Sequence, residues 1–325
     1  MKILFMGTPE FARGALQAIL DAGHEVVCVV TQPDRPSGRG RAVKYTPVKE
    51  LAVERGIPVL QPVKIRTPES VARLLQYPAD LFVVAAFGQI LSSEILHMPS
   101  YGCINIHASL LPKYRGAAPI QQAILDGETQ TGVTIMQMEE GLDTGAILTC
   151  AVVPILPGDT GDSLHDKLME AGAKLVVETI PLLEQGSVTP RPQREEDACY
   201  AGMLKKAAGK IDWSRDAATL ERLVRGLNSW PGAYTDFRNK TLKIWEAQIG
   251  EAAGDGTLQP GIVRAVTKET IEVQTGKGTL ILKSVQPEGK KKMAVRDFLL
   301  GYPVKPGEYL GGQPSAGNVE TKQSN

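Results

Sequence analysis

No stretch of this 325-residue chain is apolar for long enough to cross a bilayer. The longest apolar runs, such as residues 81–87, fall far short of the roughly 18 residues a spanning helix needs, so no membrane association is expected. Cysteine is scarce. The four, Cys28, Cys103, Cys150 and Cys199, lie far apart without C-x-x-C spacing, which argues against a zinc site or a disulfide framework and fits reduced thiols in a cytoplasmic protein. Met1, Lys2, Ile3 and Leu4 run straight into a strand-like Phe5-Met6-Gly7 with no small-residue cleavage site, so no signal peptide is expected. Net charge is also missing, 36 Lys and Arg balancing 36 Asp and Glu. That zero hides a split: residues 1–200 hold 17 basic and 23 acidic side chains, and residues 201–325 hold 19 and 13. Charge asymmetry between halves hints at a polyanionic partner, which a neutral total does not exclude. A last absence is the G-x-G-x-x-G fingerprint. Gly7-Thr8-Pro9-Glu10-Phe11 occupies its place after the first strand, but Glu10 sets negative charge where a pyrophosphate would sit, which disfavours a nicotinamide-dependent oxidoreductase.

What is present suffices for a core: 42% of residues are hydrophobic, and the length suits about two domains. The first half alternates short apolar runs with helical patterns, the signature of a parallel sheet with crossover helices. Strands are expected at residues 2–7, 25–31, 81–87, 103–107 and 133–138, with a short one at 58–60. Thr46-Pro47 and Thr67-Pro68 each place a capping threonine before a proline of the first helical turn, and residues 162–183 give a later helix. Residues 186–210, with Pro190, Pro192 and a mixed charge run, have no helical or strand period and suggest a linker. Beyond it, Ser214 can cap a helix carrying Leu220, Leu223, Val224 and Leu227 at helical spacing. Five strand-like pieces follow at 233–237, 242–249, 261–266, 270–275 and 278–286. The fold expected is therefore α/β, a Rossmann-like, mostly parallel sheet domain followed by a small OB-like five-stranded β-barrel, a fold often used to bind oligonucleotides. The boundaries expected are 1–189 for the first domain, 190–209 for the linker, 210–311 for the barrel and 312–325 for a flexible tail.

The stretch 102–116 carries the chemistry. Asn105 and His107 stand two apart on an expected strand, so their side chains leave one face, near the carboxyl end where open α/β sheets bind ligands. An apolar strand is a costly place for both unless their hydrogen bonds are met. The pair reads equally as a polar anchor of the strand end or as a functional pair. Asp143, in the glycine-flanked loop after a later strand, could orient an imidazole, and with Asn105 the three could stabilise an oxyanion while a proton moves. Taken alone, Asp143-Thr144-Gly145 reads as a turn. Arg35, Arg39, Arg41 and Lys44 fall in one loop bearing Pro36, Gly38 and Gly40, with no acidic residue among them; such a run is a solvated loop or a grip on phosphates. Lys205-Lys206 and Lys290-Lys291-Lys292 could extend a basic track. Trp230 and Tyr234 could stack on nucleotides, but packing against the barrel is the expectation. His24, His97 and His165 are expected to be structural or at the surface.

Asn105-x-His107 followed by Ser109-Leu110-Leu111-Pro112 and then Asp143-Thr144-Gly145 resembles the formyltransferase family that uses 10-formyltetrahydrofolate, and specifically its branch acting on methionyl-tRNA. Matching stretches extend the resemblance from Met1 to about Leu310: residues 5–11, 31–41, 84–89, 210–213, 230–234 and 289–293. The resemblance implies transfer of the formyl group of 10-formyltetrahydrofolate to the α-amine of methionyl-initiator tRNA. By the same resemblance Asn105, His107 and Asp143 form the catalytic three, Ser109, Leu110, Leu111 and Pro112 line the folate site, and Arg35, Arg39, Arg41, Lys44, Lys205 and Lys206 contact tRNA. Neither a metal nor an obligate protein partner is implied. The rival readings are a relative that formylates a small amine, such as a purine precursor or amino sugar nucleotide, and a tRNA-binding module without catalysis.

Overall fold

The computed structural model describes residues 1–37, 42–250 and 258–311. The chain forms two compact units, Met1–Ala123 with Glu128–Met203, and Ile124–Gly127 with the chain from Leu204 onward.

The first unit is built on a seven-stranded sheet in the order Ile147–Pro154, Gln130–Gln137, Cys103–His107, Leu81–Ala85, Lys2–Gly7, Glu25–Val30, Val59–Leu60. The five strands from Cys103–His107 to Val59–Leu60 are parallel, and Gln130–Gln137 runs antiparallel to both its neighbours. Leu81–Ala85 is buried throughout and Lys2–Gly7 nearly so, as strands covered on both faces must be. Alternate residues sort by face. Leu4, Met6, Cys28, Val30, Phe82 and Val84 join Val71, Leu74 and Ile95 in one cluster. On the long helix Gly161–Glu184, a side chain at Gly172 would meet Ile106 and Val133, so this helix lies close against the sheet.

Helix starts follow the sequence signals. Thr46 and Thr67 cap Pro47–Glu54 and Pro68–Leu74, accepting from the N–H groups of Lys49 at 3.2 Å and Ser70 at 3.3 Å. The long helix is closed by a reciprocal Thr160–Ser163 capping box. One strand of the seven-stranded sheet had no expectation: Ile147–Pro154 lies at the sheet edge, half exposed, and lacks the continuous apolar run by which buried strands are recognised.

Residues assigned to a linker over 190–209 divide between the units. Arg191 exchanges backbone hydrogen bonds with Ile147 at 2.8 and 2.9 Å, and Tyr200–Ala201 pairs in parallel with Arg115–Gly116. Composition does not show such pairing, because its groups are backbone atoms.

In the second unit, Ala233–Phe237, Lys240–Ile249, Thr279–Pro287, Ile271–Gln274 and Val263–Val266 form an antiparallel path in that order, with Met293–Ala294 added beside Thr279–Pro287. The five expected strands are present, and a short sixth joins them. Arg238 and Asn239, at φ +49° and +62°, make the two-residue hairpin turn between the first two strands. The helix Ala217–Gly226 is capped by Asp216, which accepts from Thr219 N at 2.9 Å; the expected cap, Ser214, instead donates its hydroxyl to Asp212 at 2.6 Å. Its Leu220 and Val224 enter a core with Trp213, Phe237, Leu282 and Phe298. Trp230, expected to pack, is 60% exposed. Among the described residues no helix is long and apolar enough to cross a membrane.

Candidate functional site

Asn105 and His107 occupy the carboxyl end of Cys103–His107, facing the same side, with Asn105 flanked by Val84 and Met136. Asn105 is half-buried, and its side-chain amide has no hydrogen-bond partner among the described residues. Both its donor and its acceptor are therefore free for a ligand.

His107 is 6% exposed. Its Nε2 lies 2.9 Å from the Tyr114 carbonyl, which can only accept, so Nε2 carries the hydrogen. Nδ1 is left facing Asp143 Oδ2 at 3.6 Å. That separation exceeds a hydrogen bond. The geometry brings His107 and Asp143 together from strand and loop 36 positions apart in sequence.

The segment after the strand is held from within. Thr134, directly opposite His107 on Gln130–Gln137, donates to Ser109 O at 2.7 Å and accepts from Leu111 N at 3.1 Å. Ser109 Oγ donates to Lys113 O at 2.6 Å. Ser109 and Leu111 are buried, while Leu110 and Pro112 keep exposed surface. Tyr114, at φ +60°, turns the chain so that its carbonyl meets His107.

Asp143 is fixed by two hydrogen bonds from outside its own loop. Its backbone adopts φ +53°, a conformation L-residues disfavour. Its Oδ2 accepts from Gly116 N at 2.8 Å. Gln193 Nε2 donates to Asp143 O at 2.8 Å and to Gly145 O at 2.7 Å. Arg115, 1% exposed, donates Nε to Gln193 Oε1 at 3.1 Å and Nη1 to Glu195 Oε2 at 2.9 Å and Tyr200 Oη at 3.2 Å. Burial opposes the Arg115 charge, but hydrogen bonds to Tyr200 and Glu195 outweigh it and hold its pKa above the ordinary guanidinium value.

A cavity of about 650 Å³ opens beyond the carboxyl ends of Lys2–Gly7, Glu25–Val30 and Leu81–Ala85, lined by Thr8, Gln32, Lys44, Tyr45, Thr46 and Phe87 among others. None of Asn105, His107 and Asp143 lines it. Thr8 accepts from Gln32 N at 3.3 Å, and Gln32 Nε2 donates to Phe87 O at 3.0 Å, so the wall is cross-linked between strand ends.

Of the six basic residues expected to contact tRNA, Arg39 and Arg41 lie outside the described residues. Arg35 begins the strand Arg35–Ser37, which pairs antiparallel with Ala42–Lys44, and exposed Lys44 reaches the cavity wall. Lys205 and Lys206 are exposed and belong to the second unit. The remaining histidines stand apart: His97 Nδ1 meets Ser93 O, His165 packs edgewise on Phe11, and burial pushes the pKa of His24 down. Thr134, Gln193 and Gly116 were not singled out in the sequence. Thr134, polar within an apolar strand, carried a local signal; Gln193, inside a supposed linker, carried none. Among the described residues no group of three or more His, Cys, Asp or Glu is placed to hold a metal ion.

Residues 1–180 match the family described as formyl transferase, and residues 203–303 match the formyl transferase C-terminal domain. The chain belongs to the formyl transferase family. It is 52% identical over 310 residues to the methionyl-tRNA formyltransferase of Agathobacter rectalis, covering 95% of this chain and 99% of that one. With the methionyl-tRNA formyltransferase of Geotalea uraniireducens it shares 49% identity over 311 residues, covering 96% and 98%. Among solved structures, an N-formyltransferase from Helicobacter canadensis superposes with a TM-score of 0.66 at 20% identity, over 90% of this chain and 100% of that one, a likeness of fold. Both halves of this formyl transferase thus match the family, including the sheet that carries Asn105 and His107.

Proposed function

We propose that this formyl transferase moves the formyl group of 10-formyltetrahydrofolate to the α-amine of methionyl-initiator tRNA. The observation that carries the reading is near-full-length identity of about half to relatives named methionyl-tRNA formyltransferase. Asn105 and His107 on one strand end, with Asp143 facing His107, supply groups suited to acyl transfer.

In this reading the amine lone pair attacks the formyl carbon, the new C–N bond forms, and the carbonyl oxygen becomes an oxyanion. The free Asn105 amide donates to that oxygen. His107 has Nε2 committed to Tyr114, so its contribution comes from Nδ1, the nitrogen that faces Asp143. The Asp143 carboxylate takes up the amine proton, directly or through water. The bond from the folate N10 to the formyl carbon then breaks, and N10 receives a proton as tetrahydrofolate leaves. No step requires a metal. Ser109, Leu110, Leu111 and Pro112 would flank the folate, and Arg35, Arg39, Arg41, Lys44, Lys205 and Lys206 would meet tRNA phosphates. A protein acting on charged initiator tRNA would be cytoplasmic.

The test supplies the protein with 10-formyltetrahydrofolate and, separately, methionyl-initiator tRNA or an amino sugar nucleotide. Formylmethionine released from the tRNA is the expected product. Formylation of the sugar amine alone would overturn the reading in favour of a small-amine enzyme.

A further inference from the structure

We propose that Gln193 is a positioning residue that sets the Asp143 carboxylate for proton transfer; the inference rests on the formyl-transfer reading above. Asp143 holds a backbone conformation uncommon for L-residues, at φ +53°, and a contact from outside the turn reinforces it. A single primary amide does so. Gln193 Nε2 has two hydrogens, and the carbonyls of Asp143 and Gly145 accept both, at 2.8 and 2.7 Å. Pinning the carbonyls on either side of Thr144 fixes the turn, and with it the direction of the Asp143 Cα–Cβ bond.

The carboxylate end is fixed separately, by Gly116 N at 2.8 Å. Both anchors grow from one dipeptide. Gly116 supplies the N–H, and Arg115 supplies the guanidinium that holds Gln193 Oε1 at 3.1 Å. Arg115 is itself buried and fastened by Glu195 and Tyr200, so Gln193 is held at both ends of its amide. The two glycines permit this closeness: a side chain at Gly145 would collide with the Gln137 carbonyl, and one at Gly116 would come within 2.7 Å of the Ala201 carbonyl. Residues 191–201, which carry Gln193, Glu195 and Tyr200, therefore form a strap across the back of the Asp143 turn. Gln193 does not touch the reacting atoms. Its effect passes through the placement of Asp143 relative to His107 Nδ1, now 3.6 Å apart.

Three variants of the full chain test this: Gln193→Glu, Gln193→Leu and Gln193→Glu combined with Asp143→Ala. Gln193→Glu keeps an acceptor for Arg115 but removes both donors and turns an oxygen toward two carbonyls. It should lower kcat by tenfold or more, with KM for the formyl donor and for the tRNA within about threefold of the parent. Gln193→Leu should do the same, and if it does not fold, the glutamate variant decides. In the Asp143→Ala background, Gln193→Glu should cost no further kcat, because the residue through which it acts is gone. A folded Gln193→Glu enzyme with kcat within twofold of the parent, or a full additional loss in the Asp143→Ala background, would overturn the proposal. Absence of formyl transfer by the parent chain would instead overturn the reading on which the proposal rests.

Discussion

His107 and Asp143 face each other with Nδ1 3.6 Å from Oδ2, while the opposite ring nitrogen is tied to the Tyr114 carbonyl at 2.9 Å. The tie decides which nitrogen can serve a substrate. A ring free to flip could offer either nitrogen; this one offers Nδ1, and does so beside a carboxylate whose own position is set by Gly116.

Truncation of Asn105 or His107 should be costly under the proposed mechanism. His107→Ala and Asn105→Ala are each expected to lower kcat about 10²–10³-fold, as removal of one oxyanion donor does elsewhere. Steady-state kinetics on protein with parental circular dichroism and Tm checks this. Near-parental turnover by a folded His107→Ala enzyme would remove it from the mechanism.

Thr134→Val keeps the shape of the side chain and deletes both bonds to the Ser109–Leu111 backbone. Each buried backbone group left without a partner costs about 1–3 kcal/mol. The urea midpoint should fall with an unchanged m-value. An unshifted midpoint would show that Thr134 does not hold the segment.

Acid should expose the contribution of Asp159. Burial would raise its pKa, but hydrogen bonds from Lys167, the Leu156 N–H and Ser163 outweigh burial and hold it below its ordinary 3.8. A folded-state pKa depressed in this way gives stability that is full above the unfolded value and is lost as pH falls through the folded value. Asp159→Asn should therefore melt below the parent near neutral pH, and the gap should narrow as pH falls below 3.8. A constant gap across that range would count against the carboxylate.

Thiol labelling should separate the cysteines. Burial pushes Cys28 and Cys103 up to about 12, so neither forms a thiolate near neutrality, whereas Cys150 is exposed. Mass spectrometry after brief alkylation of the native protein should find Cys150 modified and Cys28 and Cys103 untouched until denaturant is added. Early modification of either buried thiol would contradict the packing of this sheet.

Salt should weaken tRNA binding linearly on a logarithmic scale, since each neutralised phosphate releases counterions. Lys44→Ala is expected to reduce the slope by about 1. Affinity independent of salt would exclude the basic residues as phosphate contacts.

Sequence alone determined the elements and much of the order of the site. Buried strands announce themselves as apolar runs, and Thr-Pro pairs fix helix starts because capping and proline geometry are local. Cys103–His107 was legible to the residue, and so was Ala233–Phe237, though as an alternation and not as an apolar run. The half-exposed edge strand Ile147–Pro154 was not, since its pairing with Gln130–Gln137, rather than its hydrophobicity, defines it. Asn105 and His107 were visible as one face of one strand. Only the tertiary structure decided that Asp143 faces His107, that Tyr114 takes Nε2, and that Gln193 straps the Asp143 turn. Those contacts join residues 7 to 50 positions apart through backbone carbonyls and N–H groups, which every residue carries. Composition cannot mark a group that is the same at every position.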